Sequence, residues 1–538
     1  MIPGGGAILY GSGTRGGIIN IVTKSGAGFK GGSTGLEFDS FGGKKSDVSY
    51  GTIVEDLGIN INYSKNDYKG FRDGDESDSE YFEGSLKYRL TKNQNIILKY
   101  SRYEEDATSP RMLTKDNLKN PESNGLVNKY DKLITNDTKK DEFNAKYEYK
   151  INENIILDIL GFYQETEIAD TNDYGKIMGL SQYKIINEMN FTDKKSGFKP
   201  KLKINYGEGN NLILGYDYIN NKLKRNSSME MFSPEKYIND LKKETHSVFV
   251  LNKNKIDKFE FTQGIRYEYA HYKTGRQYIK YSSSPINEKI NRDTTMENMA
   301  YELVGNYLYS DTGNVYVKGE KGFTSPTPSQ LVNKINGRYI NNNLKSETYM
   351  TYEAGFKDNI FGSFVSGAIY LTETKDEIFT ENLDKMDFKN HNIGKTRRHG
   401  LELNAEQYFG KLTIREGYSL VKTEILKDRN KSIEGNEISD VPNQKLNLGL
   451  DYELTSKLKL ITDTVYSAGY YTNNDNKNGK VNEYIVTNIT LNYNYSESLR
   501  VYTGINNIFN EKYYNSINED EFDPAAERSF NAGFKYSF

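Results

Sequence analysis

Cysteine is absent from all 538 residues, which excludes a disulfide scaffold, a thiolate metal site and a cysteine nucleophile. Proline occurs only 10 times, a scarcity that suits long uninterrupted strands. No stretch approaches the ~18 consecutive apolar residues that a membrane-spanning helix needs. Charge of one sign does not dominate either: 71 Lys+Arg against 74 Asp+Glu leave a net −3, and no electrostatic case for a nucleic-acid partner exists. No charged segment followed by an apolar one marks a signal peptide, although an exported protein is expected to carry one, which makes the start at Met1 suspect. Histidine is limited to His246, His271, His391 and His399. The last two are eight apart, with no carboxylate at metal-ligand spacing, so no metal site is expected. Nothing supports catalysis, and no cofactor is expected.

What is present points to strands. Tryptophan is missing, yet 44 Tyr and 25 Phe exceed what a polar disordered chain would carry. Period-two alternation recurs along the chain. Phe530, Ala532, Phe534, Tyr536 and Phe538 alternate with Ser529, Asn531, Gly533, Lys535 and Ser537, and Leu446, Leu448, Leu450 and Tyr452 alternate with Asn447, Gly449, Asp451 and Glu453. A mean hydropathy of −0.77 reads as soluble, but a β-barrel escapes that test because only every second strand residue faces lipid.

The connections separate barrel from sandwich. Short links at Glu55–Gly58, Thr91–Asn95, Gly207–Asn210, Asp311–Asn314, Asn359–Gly362 and Ser496–Ser498 alternate with long polar segments. Those are 67–80, 105–138, 167–182, 222–242, 273–294, 322–345, 375–395, 425–440, 470–481 and 515–526. Tight periplasmic turns alternating with long extracellular loops produce this pattern, and the count comes to about 22 strands. The expected fold is all-β: an antiparallel transmembrane barrel of about 22 strands, with loop tips that are solvated.

The first 26 residues differ from the rest. Gly11-x-Gly13-x-x-Gly16 matches a dinucleotide fingerprint, but a β-branched run, Ile18–Thr23, follows where a helix is required. The fuller pattern is Pro3-Gly4-Gly5, Leu9-Tyr10-Gly11, Gly13, Gly16-Gly17, Ile19-Asn20-Ile21 and Thr23-Lys24. It resembles the end of the plug domain of TonB-dependent receptors. The resemblance implies that residues 1–28 are the remnant of a plug, with Ile18–Val22 as a short strand, and that 29–538 form the receptor barrel, its first strand starting near Gly31. Gly322-Phe323-Thr324-Ser325-Pro326, Asn343-Leu344-Lys345-Ser346-Glu347 and Asn506-Asn507-Ile508-Phe509-Asn510 are similar to further elements of the family. So is the pairing of Arg397 and Arg398 with Gly400-Leu401-Glu402. Phe538 fits the C-terminal signal that the barrel assembly machinery reads.

The same resemblance implies an integral outer-membrane transporter of a Gram-negative bacterium, surrounded by lipid and lipopolysaccharide, that imports a scarce metal chelate, most often a ferric siderophore. Coupling to the TonB complex would need an upstream plug and TonB box, which this sequence does not include. No histidine lies between Phe323 and Glu347, where haem-uptake members carry one. For ligand capture the candidates are Arg338 and Tyr339, because rings and guanidinium groups offer stacking and charge-assisted hydrogen bonds. Haem, cobalamin and carbohydrate remain alternative cargoes. A passive open pore, a nonfunctional remnant and a soluble or surface-anchored all-β binding protein are the competing functions.

Overall fold

Alternation of side chains is the reason this chain closes on itself. In the strand Glu235–Ile256, Val248, Val250 and Ile256 are exposed on one face while Ser247 and Phe249 are buried on the other. An apolar exterior and a polar interior permit only one antiparallel arrangement without a greasy core, a barrel whose outside is covered by lipid. The computed structural model describes residues 6–21, 30–110, 112–115, 134–173, 186–229, 234–383, 387–428, 431–477, 479–518 and 521–538.

The main sheet has 24 strands. Two of them, Val332–Ile335 and Arg338–Asn341, form a separate hairpin, which leaves the expected 22 in the wall. Closure comes from Gly31–Asp39 pairing with Ser529–Ser537, Thr34 opposite Tyr536 and Phe38 opposite Ala532. Every wall pairing is antiparallel with its sequence neighbour, so no edge is left open. The first wall strand starts at Gly31, as anticipated. Of the expected strand Ile18–Val22, the described residues Ile18–Ile21 form only an isolated bridge at Ile18, and Val22 lies outside the described residues.

Wall height is uneven. Ile186–Tyr206 has 21 residues and Ile286–Leu308 has 23, whereas Leu499–Asn506 has 8 and Gly31–Asp39 has 9. A bilayer needs only about 9–11 tilted residues per strand. The tall wall therefore stands well above the membrane, and this corrects the loop boundaries read from the sequence. The segments 222–242 and 273–294 are mostly strand, belonging to Asn210–Met229, Glu235–Ile256, Phe259–Lys280 and Ile286–Leu308. Above the lipid both faces meet water, so the apolar alternation that marks a strand disappears although the hydrogen-bonded ladder continues.

Candidate functional site

The segment from Gly6 to Ile21 lies inside the barrel against the inner face of the tall wall. One helical turn, Ala7–Tyr10, places Ala7 and Ile8 in an apolar nest with Phe249, Ala300 and Phe323. Burial of its backbone groups demands partners, and the wall supplies them. The Ala7 amide donates to Glu320 at 3.3 Å, and Arg266 donates to the Ile8 carbonyl at 3.2 Å while pairing with Asp217 at 2.7 Å. Gly11 follows with φ +79, and a Cβ there would sit 3.2 Å from the Arg266 guanidinium, so both conformation and space call for glycine. The Gly13 amide donates to the Phe323 carbonyl at 3.1 Å, the Ser325 amide to Ser12 Oγ at 2.9 Å, and Thr14 meets the Tyr349 hydroxyl at 2.9 Å. Arg15 ends the run by bridging Glu347 at 3.0 Å and Glu377 at 3.1 Å, and Arg398 holds Glu377 from the other side at 2.6 Å.

At the extracellular end of the same wall, the hairpin Val332–Ile335/Arg338–Asn341 folds inward rather than out into solvent. Its turn, Asn336-Gly337, has φ of 52° and 74°, the positive pair that a two-residue hairpin turn requires. Leu331 and Leu344 beside it are buried against Ala270 and Tyr272. Tyr272 donates to the Pro326 carbonyl at 3.0 Å, Arg276 to the Ser329 carbonyl at 2.8 Å, and Asn390 to the Val332 carbonyl at 2.9 Å.

This seating assembles an aromatic and cationic cluster at the mouth. Tyr237 and Tyr278 stack at 4.9 Å, and Tyr339 meets Tyr237 edge-on at 6.2 Å. Arg276 lies 5.0 Å from the Tyr339 ring centre, and the Lys334 ammonium lies 4.2 Å from that of Tyr237. These groups stand above the apolar belt, which begins at Val248 on the same strand. Burial, reinforced by the hydrogen bond to Glu235, raises the Tyr237 hydroxyl, and the same causes push Tyr278 up to about 12. Both hydroxyls therefore stay protonated at neutral pH, and that of Tyr237 donates to Glu235 at 2.7 Å. Burial lowers the Arg276 guanidinium from its ordinary value. Tyr237, Tyr278, Arg276 and Lys334 are buried against one another and Tyr339 is half-buried, so Tyr339 is the ring that a flat or anionic guest can reach, with the cations behind it.

Residues 28–508 match the family model for "TonB dependent receptor-like, beta-barrel". The chain belongs to that family. A ferric-pyoverdine receptor, PbuA, of a Pseudomonas species is 25% identical over 207 residues, 36% of this chain. The matched part spans 24% of the length of that relative. Among solved structures, the ferric yersiniabactin uptake receptor FyuA of Yersinia pestis aligns at a TM-score of 0.83 and 16% identity, over 100% of this chain and 84% of that one. The siderophore receptor PiuA of Acinetobacter baumannii aligns at 0.83 and 15% identity, over 100% and 85%. At such identities these two show the fold alone.

Within this receptor-family barrel the sequence-derived candidates fall in different places. Tyr10, Gly11, Gly17 and Asn20 belong to the docked segment, whereas Pro3, Gly4, Thr23 and the boundary at residue 28 lie outside the described residues. Tyr339 joins the mouth cluster, but Arg338 is 64% exposed and points to Glu288 at 3.3 Å. Arg397 and Arg398 are held by Glu373 at 2.7 Å and Glu377 at 2.6 Å. Phe538 sits at the seam, its carbonyl accepting from the Gly32 amide at 2.7 Å. Among the described residues no group of three His, Asp or Glu is arranged to hold a metal.

Sequence reading passed over Arg15, Arg266, Glu320 and Glu377 in the docking network, and Tyr237, Arg276, Tyr278 and Lys334 in the cluster. Arg15 and Glu347 were inside quoted motifs, and their opposite charges were the available signal. Lys334 lies on the short hairpin strand Val332–Ile335 and the others on longer strands where charged residues recur, and nothing in the sequence marks them.

Proposed function

We propose that this chain forms the wall of an outer-membrane receptor that takes up a ferric siderophore or a similar metal chelate. The observation that carries the reading is the lumen-facing cluster of Tyr237, Tyr278, Tyr339, Arg276 and Lys334 at the mouth of a barrel of this family. The names of the relatives, which are ferric-siderophore receptors, favour the same cargo. In this reading residues 1–28 are the end of a plug and 29–538 are the barrel, and the receptor works with TonB. Tyr339 contacts the chelate and Arg338 guides it from the rim. Phe538 is the assembly signal, and lipid and lipopolysaccharide cover the outer wall.

Calorimetric titration of the folded chain in detergent with ferric siderophores, ferric citrate, haem and cobalamin tests the reading. Saturable binding of one ferric chelate is expected, weakened by about tenfold in Tyr339→Ala, as for an aromatic contact residue. Binding of haem or cobalamin with no response to any ferric chelate would sink it. A passive pore is the second reading, favoured by the wall contacts of Ala7, Ile8, Ser12, Thr14 and Arg15, which fall on one sector of the lumen.

A further inference from the structure

The outer face of the tall wall carries a feature that import through the lumen does not use. The registers place Lys222 opposite Lys194 on one neighbouring strand and opposite Lys242 on the other, and Lys242 opposite Lys273. All four point outward, because the alternate residues Lys243 and Tyr272 meet each other on the inner face. Four lysines thus form one row across four adjacent strands, about 14 Å long at the usual strand spacing. Like charges directly opposite each other destabilise a sheet, and this row contains three such pairs in succession.

The acidic neighbours relieve the row only from its flanks. Glu165 lies 2.6 Å from Lys194, Glu244 lies 2.6 Å from Lys242, and Asp293 lies 3.7 Å from Lys273. Lys222, in the middle, is exposed and has no carboxylate within ion-pair distance among the described residues. A depression of about 810 Å³ opens beside the row, lined by Lys242, Lys273 and Lys289 together with Asp240 and Asp293.

Height decides the occupant. Four residues nearer the membrane on the same strands, a second row holds Phe198, Tyr218, His246 and Tyr269, in matching register. Below it the exterior is apolar, with Val248 and Val250 exposed. Aromatic side chains of that kind mark the membrane interface. Four residues along a strand tilted by ~40° raise the lysines about 10 Å above it, the level of lipid headgroups.

We propose that the row Lys194–Lys222–Lys242–Lys273 binds the phosphate groups of an anionic lipid in the outer leaflet. The lipid phosphates neutralise the stacked ammonium groups, and the acyl chains continue down over the aromatic row onto the apolar belt. The proposal rests on the seat of the barrel in an outer membrane and not on the identity of the chelate. Correct folding is read separately, from the heat-modifiable gel mobility of the chain in lipid-free detergent.

The full chain, folded in neutral detergent, is titrated with bisphosphorylated lipid A, with the same lipid after removal of both phosphates, and with inorganic phosphate. The readouts are lipid affinity and the temperature at which the folded gel band is lost. Bisphosphorylated lipid A is expected to raise that temperature, and Lys222→Gln/Lys242→Gln is expected to weaken its binding by roughly tenfold or more. Lys65→Gln, an outward lysine already enclosed by Asp78 and Glu80, should leave the affinity unchanged. If the double variant does not fold, Lys222→Gln alone is compared with Lys222→Arg, which should retain binding. Equal protection by the dephosphorylated lipid, equal protection by inorganic phosphate alone, or undiminished binding by a folded variant overturns the proposal.

Discussion

At the scale of single residues, Arg15 does the most for the docked segment. One guanidinium spans two carboxylates, Glu347 and Glu377, that are both largely withdrawn from water. Removing it leaves Arg398 as the cation holding Glu377 and strips Glu347 of its ion pair, a loss on the order of 2 kcal/mol for poorly solvated charges. Arg15→Ala is expected to release residues 6–21 from the wall while the barrel stays folded, read as at least a tenfold gain in amide exchange of that segment. Arg15→Lys should rescue only in part, since a point charge cannot span both acids. Unchanged exchange in Arg15→Ala would show that the apolar nest around Ile8 holds the segment alone. Gly32 is the matching case at the seam. A Cβ there would come within 2.3 Å of the Phe538 ring, so Gly32→Leu should displace that ring and lower the yield of folded, heat-modifiable barrel. A normal yield would mean that the ring of Phe538 has room elsewhere.

At the scale of elements, the hairpin Val332–Ile335/Arg338–Asn341 controls the mouth cluster, since it carries both Lys334 and Tyr339. Its turn depends on Gly337 at φ +74. Gly337→Val places a β-branched side chain in a left-handed conformation, at a cost of about 1–3 kcal/mol. Chelate affinity should fall by tenfold or more while the gel-shift temperature of the barrel changes little. A large drop in that temperature would instead make the hairpin part of the barrel's stability. The Asn336-Gly337 turn was legible in principle, as a dipeptide with a strong local preference. That the hairpin folds inward was not, because its anchors Tyr272, Arg276 and Asn390 come from strands some 50 to 60 residues away. Strand number was readable because each crossing of the lipid imposes alternation and each short turn imposes its own residues. Strand length was not, because nothing apolar is required of a ladder standing in water, as 222–242 shows. The convergence of Ser12, Arg15, Ser325, Glu347 and Arg398 was half visible, since all five fall in or beside motifs quoted in order but separated by hundreds of residues.

At the scale of the whole molecule, what the lumen conducts follows from how much of it is filled. Barrel diameter grows roughly in proportion to strand number, so a wall of 22 strands encloses about 1.9 times the cross-section of a porin of about 16. The described part of the N-terminal segment occupies only one sector of that space. It touches Arg266, Glu320, Phe323, Ser325, Glu347, Tyr349 and Glu377, whereas the strands Gly31–Asp39, Lys44–Val54 and Ser529–Ser537 lie on the opposite side of the sheet order. The 538-residue chain alone, inserted into a planar bilayer, should therefore conduct steadily and without voltage gating, at a level above that of a general porin. Conductance should rise further in Arg15→Ala, because a released segment no longer narrows its sector, and this links the pore to the docking network rather than to leakage around a misfolded barrel. Joining a complete plug domain ahead of Met1 should lower the current to near baseline and leave chelate binding at the mouth intact. A closed bilayer with the chain alone would mean that the segments around the lumen fill it without a plug, and the passive-pore reading would fall.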